Sequence, residues 1–182
     1  MLAFLPSAIY FVMAPLSVSL SLWLAFAAAF TVSLRHFGAT RQIRLFDISG
    51  LALFGVMALY EGFVQAGSPA TETSIVLAGG FLFAILWSMA TNRPITIQYH
   101  WLRKEHDPAL LIQAHTLLTA LWATTFAGIS GLDFLSVSAH ILDPGWVNIL
   151  SLVLFVAMLT FTWRFGLYID ERRGNIPLLR RR

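Results

Sequence analysis

The sequence contains no cysteine, which excludes disulfide bonds, thiolate metal sites and thiol nucleophiles. Charged residues make up only 12% of the chain, against about a quarter in an average soluble domain. The chain also lacks a glycine-rich phosphate loop, a Ser/His/Asp order and a paired-carboxylate motif. These absences favour a protein that is not an enzyme, and they predict no cofactor.

Apolar residues, in contrast, are in excess. They account for 58% of the 182 positions, and the mean hydropathy is +0.74. One domain of this size could not hide so much apolar surface from water, whereas lipid accepts it directly. The cations lie in short loops and in the tail, so membrane orientation explains the net charge of +3 better than nucleic-acid binding does. We therefore predict one all-α integral membrane domain over residues 1–182.

Prolines and polar turns divide the apolar runs into about five predicted spans. At about 1.5 Å per residue, the run from Leu2 to Leu34 is too long for one crossing of ~30 Å. Pro6 and Pro15 lack an amide proton and disfavour helix in the preceding residue, so residues 2–14 are predicted to form a short interfacial or half-inserted segment. The predicted spans cover residues 16–34, 47–66, 74–90, 109–131 and 145–168.

All 12 Lys and Arg residues lie after predicted spans one and three or at the far end of span five. The connections 67–73 and 132–144 contain none, and Asp133 is predicted to lie in the second of these loops. Cytoplasmic loops carry the Lys/Arg excess in membrane proteins. This sorting predicts that the N-terminus is outside and the C-terminus is cytoplasmic.

Two ionisable residues lie well inside predicted spans, Glu61 in the outer half of span two and His115 in the inner half of span four. Charge in lipid costs several kcal/mol, so both are candidate functional residues. Their depths differ, which argues against a direct pair. In one interpretation both are satisfied locally. Glu61 then reaches the outer interface or is neutral and bonded to a neighbour such as Asn148, and His115 bonds with Gln113 or a nearby hydroxyl. In the other, they belong to a proton or ion path.

The segment from Asn92 to Pro108 is the one long polar stretch between apolar runs. Its mixture of cations and amphipathic aromatics is typical of a membrane boundary, so we predict an interfacial segment between spans three and four. It is either a topological anchor or a docking site for lipid or a partner. The candidate residues are Arg93, Tyr99, His100, Trp101, Arg103, Lys104 and His106.

Histidines also raise the question of metal. Only His115 lies well inside a span, which disfavours a haem held by two imidazoles from facing helices. A cytoplasmic-face metal site is an alternative, since imidazole and carboxylate suit zinc or iron. Its ligands would come from a set whose spacing matches no strong signature: His36, His100, Glu105, His106 and Asp107.

Small residues repeat every four positions on two predicted spans. They form a ridge on span four and a shorter one on span two, where helices can approach closely. Such ridges more often serve packing within the chain than a dimer face. The residues are Thr116, Ala120, Thr124 and Gly128 on span four, and Ala58 and Gly62 on span two.

The layout resembles the bacterial inner-membrane septation protein A family, also called YciB. The resemblance covers nearly the full length in layout and a few short matches in residues: Phe4-Leu5-Pro6, Arg93-Pro94-Ile95, Leu121-Trp122-Ala123 and Trp146-Val147-Asn148. It implies a small multi-pass protein of the bacterial inner membrane that contributes to cell-envelope synthesis or septation through protein partners. It implies no catalytic residue.

Three hypotheses follow. The leading one is a non-enzymatic protein that acts through lateral contacts with lipid, other membrane proteins or a second copy of itself. The second is a small transporter or proton-linked channel that uses Glu61 and His115, with Asn148 as a further candidate. The third is a membrane-bound metalloenzyme at the cytoplasmic face that uses His100 and His106.

Overall fold

The computed structural model describes residues 2–41, 44–65, 67, 69–91, 94–96 and 108–174. Within these ranges the chain is all-helical, as predicted, and contains no β-strand. A short 3₁₀ turn, Leu2–Phe4, precedes six α-helices. In chain order they are α1 (Leu5–Met13), α2 (Val18–Thr40), α3 (Leu45–Phe63), α4 (Ala70–Ala90), α5 (Pro108–Ala139) and α6 (Pro144–Gly174).

Five of these helices, α2 to α6, are long and apolar enough to cross a membrane. Between 28% and 44% of each apolar window is buried inside the bundle. The remaining faces are mostly apolar and exposed, as expected of helices in contact with lipid. The predicted and observed bounds differ most in the fourth span. It was predicted to end at Gly131, but α5 continues to Ala139. That extension moves Asp133 from a predicted loop into a helix.

The N-terminal segment forms a separate short helix, α1, which ends before Pro15. Pro6 lies in its first turn, where a missing amide proton breaks no helical hydrogen bond. Ser17 then caps α2 by accepting a hydrogen bond from the Leu20 N–H at 3.3 Å. At 1.5 Å per residue α1 is only about 13 Å long, less than half the hydrocarbon thickness.

Although it is short, α1 belongs to the core of the bundle. It packs between α2 and α6, and Tyr10 and Phe11 are buried there. Consecutive long helices run antiparallel, because the end of one helix lies beside the start of its neighbour. His36, late in α2, meets Asp47, early in α3, and Asp133, late in α5, lies beside Ser74, early in α4.

This arrangement gives the bundle two chemically different ends. At the acidic end, α3 and α5 finish and α4 and α6 begin. At the basic end, α2 and α4 finish and α3 and α5 begin. The arginines whose side chains the structure describes all lie toward the basic end: Arg35, Arg41, Arg44 and Arg164.

Candidate functional site

Asp133 is the most unusual buried group that the structure describes. It lies on α5, six residues before the helix ends, and its side chain is 0% exposed. Neither carboxylate oxygen has a hydrogen-bond partner among the described residues. The hydroxyl of Ser74, on α4, lies beside the carboxyl but outside hydrogen-bond geometry, and it too has no partner there. A buried carboxylate with no partner costs several kcal/mol in an apolar environment.

Glu61 lies near the C-terminal end of α3, at the same end of the bundle, and is 2% exposed. Its Oε1 accepts a hydrogen bond from the backbone N–H of Gly67 at 2.8 Å. Gly67 adopts a φ of +87°, which glycine reaches without steric cost and which turns the chain back over the helix end. One observed partner of Glu61 is thus the local backbone at Gly67.

Tyr10 links the short helix α1 to both acidic residues. Its hydroxyl donates a hydrogen bond to the carbonyl of Ala70 at 3.1 Å, and its side chain is 2% exposed. Asp133 and Glu61 both lie close enough to interact electrostatically with it. Burial raises the pKa of Tyr10 above its ordinary value, and either carboxyl raises it further when it is ionised, so the phenol stays protonated and remains a donor.

We call this constellation the acidic pocket and define it as Tyr10, Glu61, Ser74 and Asp133. Four elements supply it, namely α1, α3, α4 and α5. It lies beside the start of α4, where the Tyr10 hydroxyl donates to the Ala70 carbonyl. All its polar atoms are oxygens and none carries positive charge. This chemistry suits a proton or a hard cation and not an anionic ligand.

An aromatic plug separates the acidic pocket from the basic end. It contains rings from the N-terminal 3₁₀ turn, from α1 and from four of the five long helices, in contact at centroid distances of 4.1 to 6.5 Å. Tyr10 belongs to both features, because its ring lies 6.2 Å from that of Phe54. The other members are Phe4, Phe11, Phe46, Phe81, Trp122, Phe126 and Phe155.

His115 lies on the far side of this plug from Glu61. It is 3% exposed, and its Nδ1 is 3.0 Å from the Thr96 hydroxyl. That hydroxyl also donates to the His115 carbonyl at 3.0 Å and lies 2.9 Å from the hydroxyl of Thr119. These contacts fasten the turn after α4 to the first turns of α5. The structure does not bring Glu61 and His115 together.

The remaining polar candidates are dispersed. Gln113 is exposed on α5, and Asn148 is partly exposed on α6. His36, one of the metal candidates, has its Nδ1 2.8 Å from a carboxylate oxygen of Asp47 and so ties α2 to α3. In the described part of the chain no three His, Asp or Glu side chains group as metal ligands. The other metal candidates, His100, Glu105, His106 and Asp107, lie outside the described residues.

The interfacial candidates also lie outside the described residues: Arg93, Tyr99, His100, Trp101, Arg103, Lys104 and His106. Of the predicted ridge on α5, Thr124 and Gly128 are exposed, and the buried face lies elsewhere. On α3, Ala58 is buried whereas Gly62 is exposed.

Sequence reasoning missed Asp133, Tyr10 and Ser74, although one signal was present. The buried face of α5 includes Trp122, Phe126, Ile129 and Asp133, which recur at intervals of three and four residues. That spacing is the periodicity of one helix face. Extending it beyond Gly131 would have placed the aspartate on the core side.

Comparisons with protein-family models, with curated proteins and with solved structures find no match to this chain.

Proposed function

We propose that the protein is a multi-pass membrane carrier that takes up and releases a proton at Asp133 during its cycle. The supporting observation is a fully buried carboxyl, without a hydrogen-bond partner among the described residues, on a helix apolar enough to span a membrane. Such a group is costly when ionised and alone, so it carries a proton or pairs with a cation. A proton requires fewer ligands than a metal cation, because a single carboxylate oxygen is enough to bind it.

The aromatic plug favours a carrier over an open channel. A channel needs a continuous polar path, whereas here stacked rings fill the middle of the bundle. A carrier instead exposes its site to one side at a time through movement of one element against the rest. In this proposal α1 is the moving element, because it is short and contributes Tyr10 to both pocket and plug.

The test is a pH jump applied to proteoliposomes adsorbed on a solid-supported membrane. A proton that binds within the membrane field displaces charge and gives a transient current even when no solute is present. We expect this current from the wild type and its loss in Asp133→Asn. Glu72→Gln is the matched control, because Glu72 is exposed in the first turn of α4. A wild-type response no larger than that of empty vesicles would refute the proposal.

A second candidate function is lateral contact with another membrane protein. A groove of about 420 Å³ runs between α3 and α4 on the outside of the bundle. Small residues form much of the floor of this groove, and Phe83 and Trp87 flank it. Another helix can approach such a surface closely. The small residues are Ser49, Ala52, Gly80 and Ala84. With the septation-family resemblance, this proposal places the chain in the bacterial inner membrane among proteins of envelope synthesis or septation.

Photo-crosslinking in native membranes tests this second proposal. A crosslinking residue at exposed Ala52 should give protein adducts of defined mass, whereas the same residue at Val153, exposed on α6, should not. Adducts with lipid alone, or identical protein adducts from both positions, would count against the groove as a docking site.

A further inference from the structure

A second groove, of about 550 Å³, lies between α1 and α6. The first turns of α1 form one wall, through Phe4, Leu5 and Ala8, and α6 forms the other, through Val156 and Trp163 among others. We call it the α1–α6 groove. It is open along one side, toward the apolar outer surface of the bundle.

The lining of the α1–α6 groove is almost entirely apolar. Its one hydroxyl, that of Thr160, donates to the carbonyl of Val156 within its own helix at 2.8 Å. Apart from the indole N–H of Trp163, the groove offers no further side-chain hydrogen-bond donor that is free, and it suits an apolar chain better than water or a polar solute. Left empty, its walls would lose the dispersion contacts that close-packed surfaces normally make.

One end of the α1–α6 groove carries a positive charge. The guanidinium of Arg164 lies 5.7 Å from the centroid of the Trp163 ring, which itself lines the groove. Both side chains are exposed and lie toward the basic end of α6, near the end of its apolar window at Gly166. Tryptophan and arginine at such a position sit at headgroup depth, where an anionic phosphate is within reach.

We infer that the α1–α6 groove is a binding site for one anionic phospholipid. An acyl chain lies along the apolar groove, and the phosphate of the headgroup pairs with Arg164 beside Trp163. The lipid fills the space that α1 leaves because it is too short to span. This site is separate from the acidic pocket and does not depend on the proposed carrier function.

The experiment is native mass spectrometry of the full chain released from mild detergent. Phosphatidylglycerol and phosphatidylcholine with the same acyl chains are added in separate titrations. The wild type should retain one phosphatidylglycerol in preference to phosphatidylcholine. Arg164→Gln should reduce that preference about five-fold, since one arginine near anionic lipid is worth roughly 1 kcal/mol. Arg35→Gln, an exposed arginine of α2, is the charge control and should leave the preference unchanged.

Larger side chains in the α1–α6 groove test whether an acyl chain lies there. Ala8→Leu should reduce retention of both lipids, while Ala27→Leu, on the exposed face of α2, should not. If Ala8→Leu does not fold by circular dichroism, Thr160→Leu fills the same groove from α6. Equal retention of the two lipids by the wild type would overturn the inference. So would equal effects of Arg164→Gln and Arg35→Gln, or undiminished retention in a folded groove variant.

Discussion

Replacing Asp133 by leucine should stabilise the fold while abolishing proton binding. Leucine branches at the same carbon as aspartate, so it keeps the shape of the side chain and removes the polar atoms. Removing a buried polar group that has no partner recovers roughly 1–3 kcal/mol. The methyl groups of leucine are larger than the carboxyl oxygens they replace. Fitting them into the core should cost less than about 1.5 kcal/mol, the usual cost of a modest change of volume there. The expected net gain is about 1 kcal/mol in the free energy of unfolding.

The assay is unfolding by sodium dodecyl sulfate from a mild detergent, followed by far-ultraviolet circular dichroism. Ile129→Ala is the matched control, since Ile129 is 0% exposed one turn before Asp133 on the same face. That deletion should cost roughly 2–5 kcal/mol, as large-to-small core substitutions do. A loss of stability in Asp133→Leu comparable to that of Ile129→Ala would refute the reasoning, because it would show that the carboxyl is a structural partner and not an unpaired functional group.

Three further predictions concern contacts between helices, each measured by the same unfolding assay. Tyr10→Phe removes the hydrogen bond to the start of α4 and should cost about 0.5–1.5 kcal/mol; an unchanged stability would show that this bond contributes nothing. Gly80→Ala places a methyl group against the side chain of Leu53 on α3 and should cost roughly 1–3 kcal/mol. Gly79→Ala, with nothing within 4 Å, should instead be neutral or gain up to about 1 kcal/mol, and equal effects would contradict the packing described. Asp47→Ala removes the partner of His36 and should cost roughly 1–3 kcal/mol; no loss would mean that the pair does not hold α2 to α3.

The coarse fold was predictable from sequence because lipid imposes a length and an apolar composition on each span. Those two constraints predicted five long helices and the break at Pro15, which the structure contains. Boundaries were less predictable. Gly131 was interpreted as a helix end, but a glycine costs only about 1 kcal/mol in a helix, and packing of the buried face of α5 overcomes that cost.

The candidate site was predicted only in part, because its members meet through tertiary contacts. Glu61 was identified from its depth, but its companions Tyr10 and Asp133 lie far from it in sequence. The Thr96 partner of His115 precedes it by 19 residues, across residues that the structure does not describe. Hydropathy locates a span along the chain, but it does not specify which side chains of different spans share a pocket.

The central claim is that Asp133 carries a proton inside the membrane-spanning bundle. Infrared difference spectroscopy between the wild type and Asp133→Asn, both in lipid at neutral pH, tests it most directly. The account predicts that the wild type has a protonated-carboxyl stretching band which Asp133→Asn lacks and which Glu72→Gln retains. A spectrum in which the wild type and Asp133→Asn show the same protonated-carboxyl absorption would contradict it.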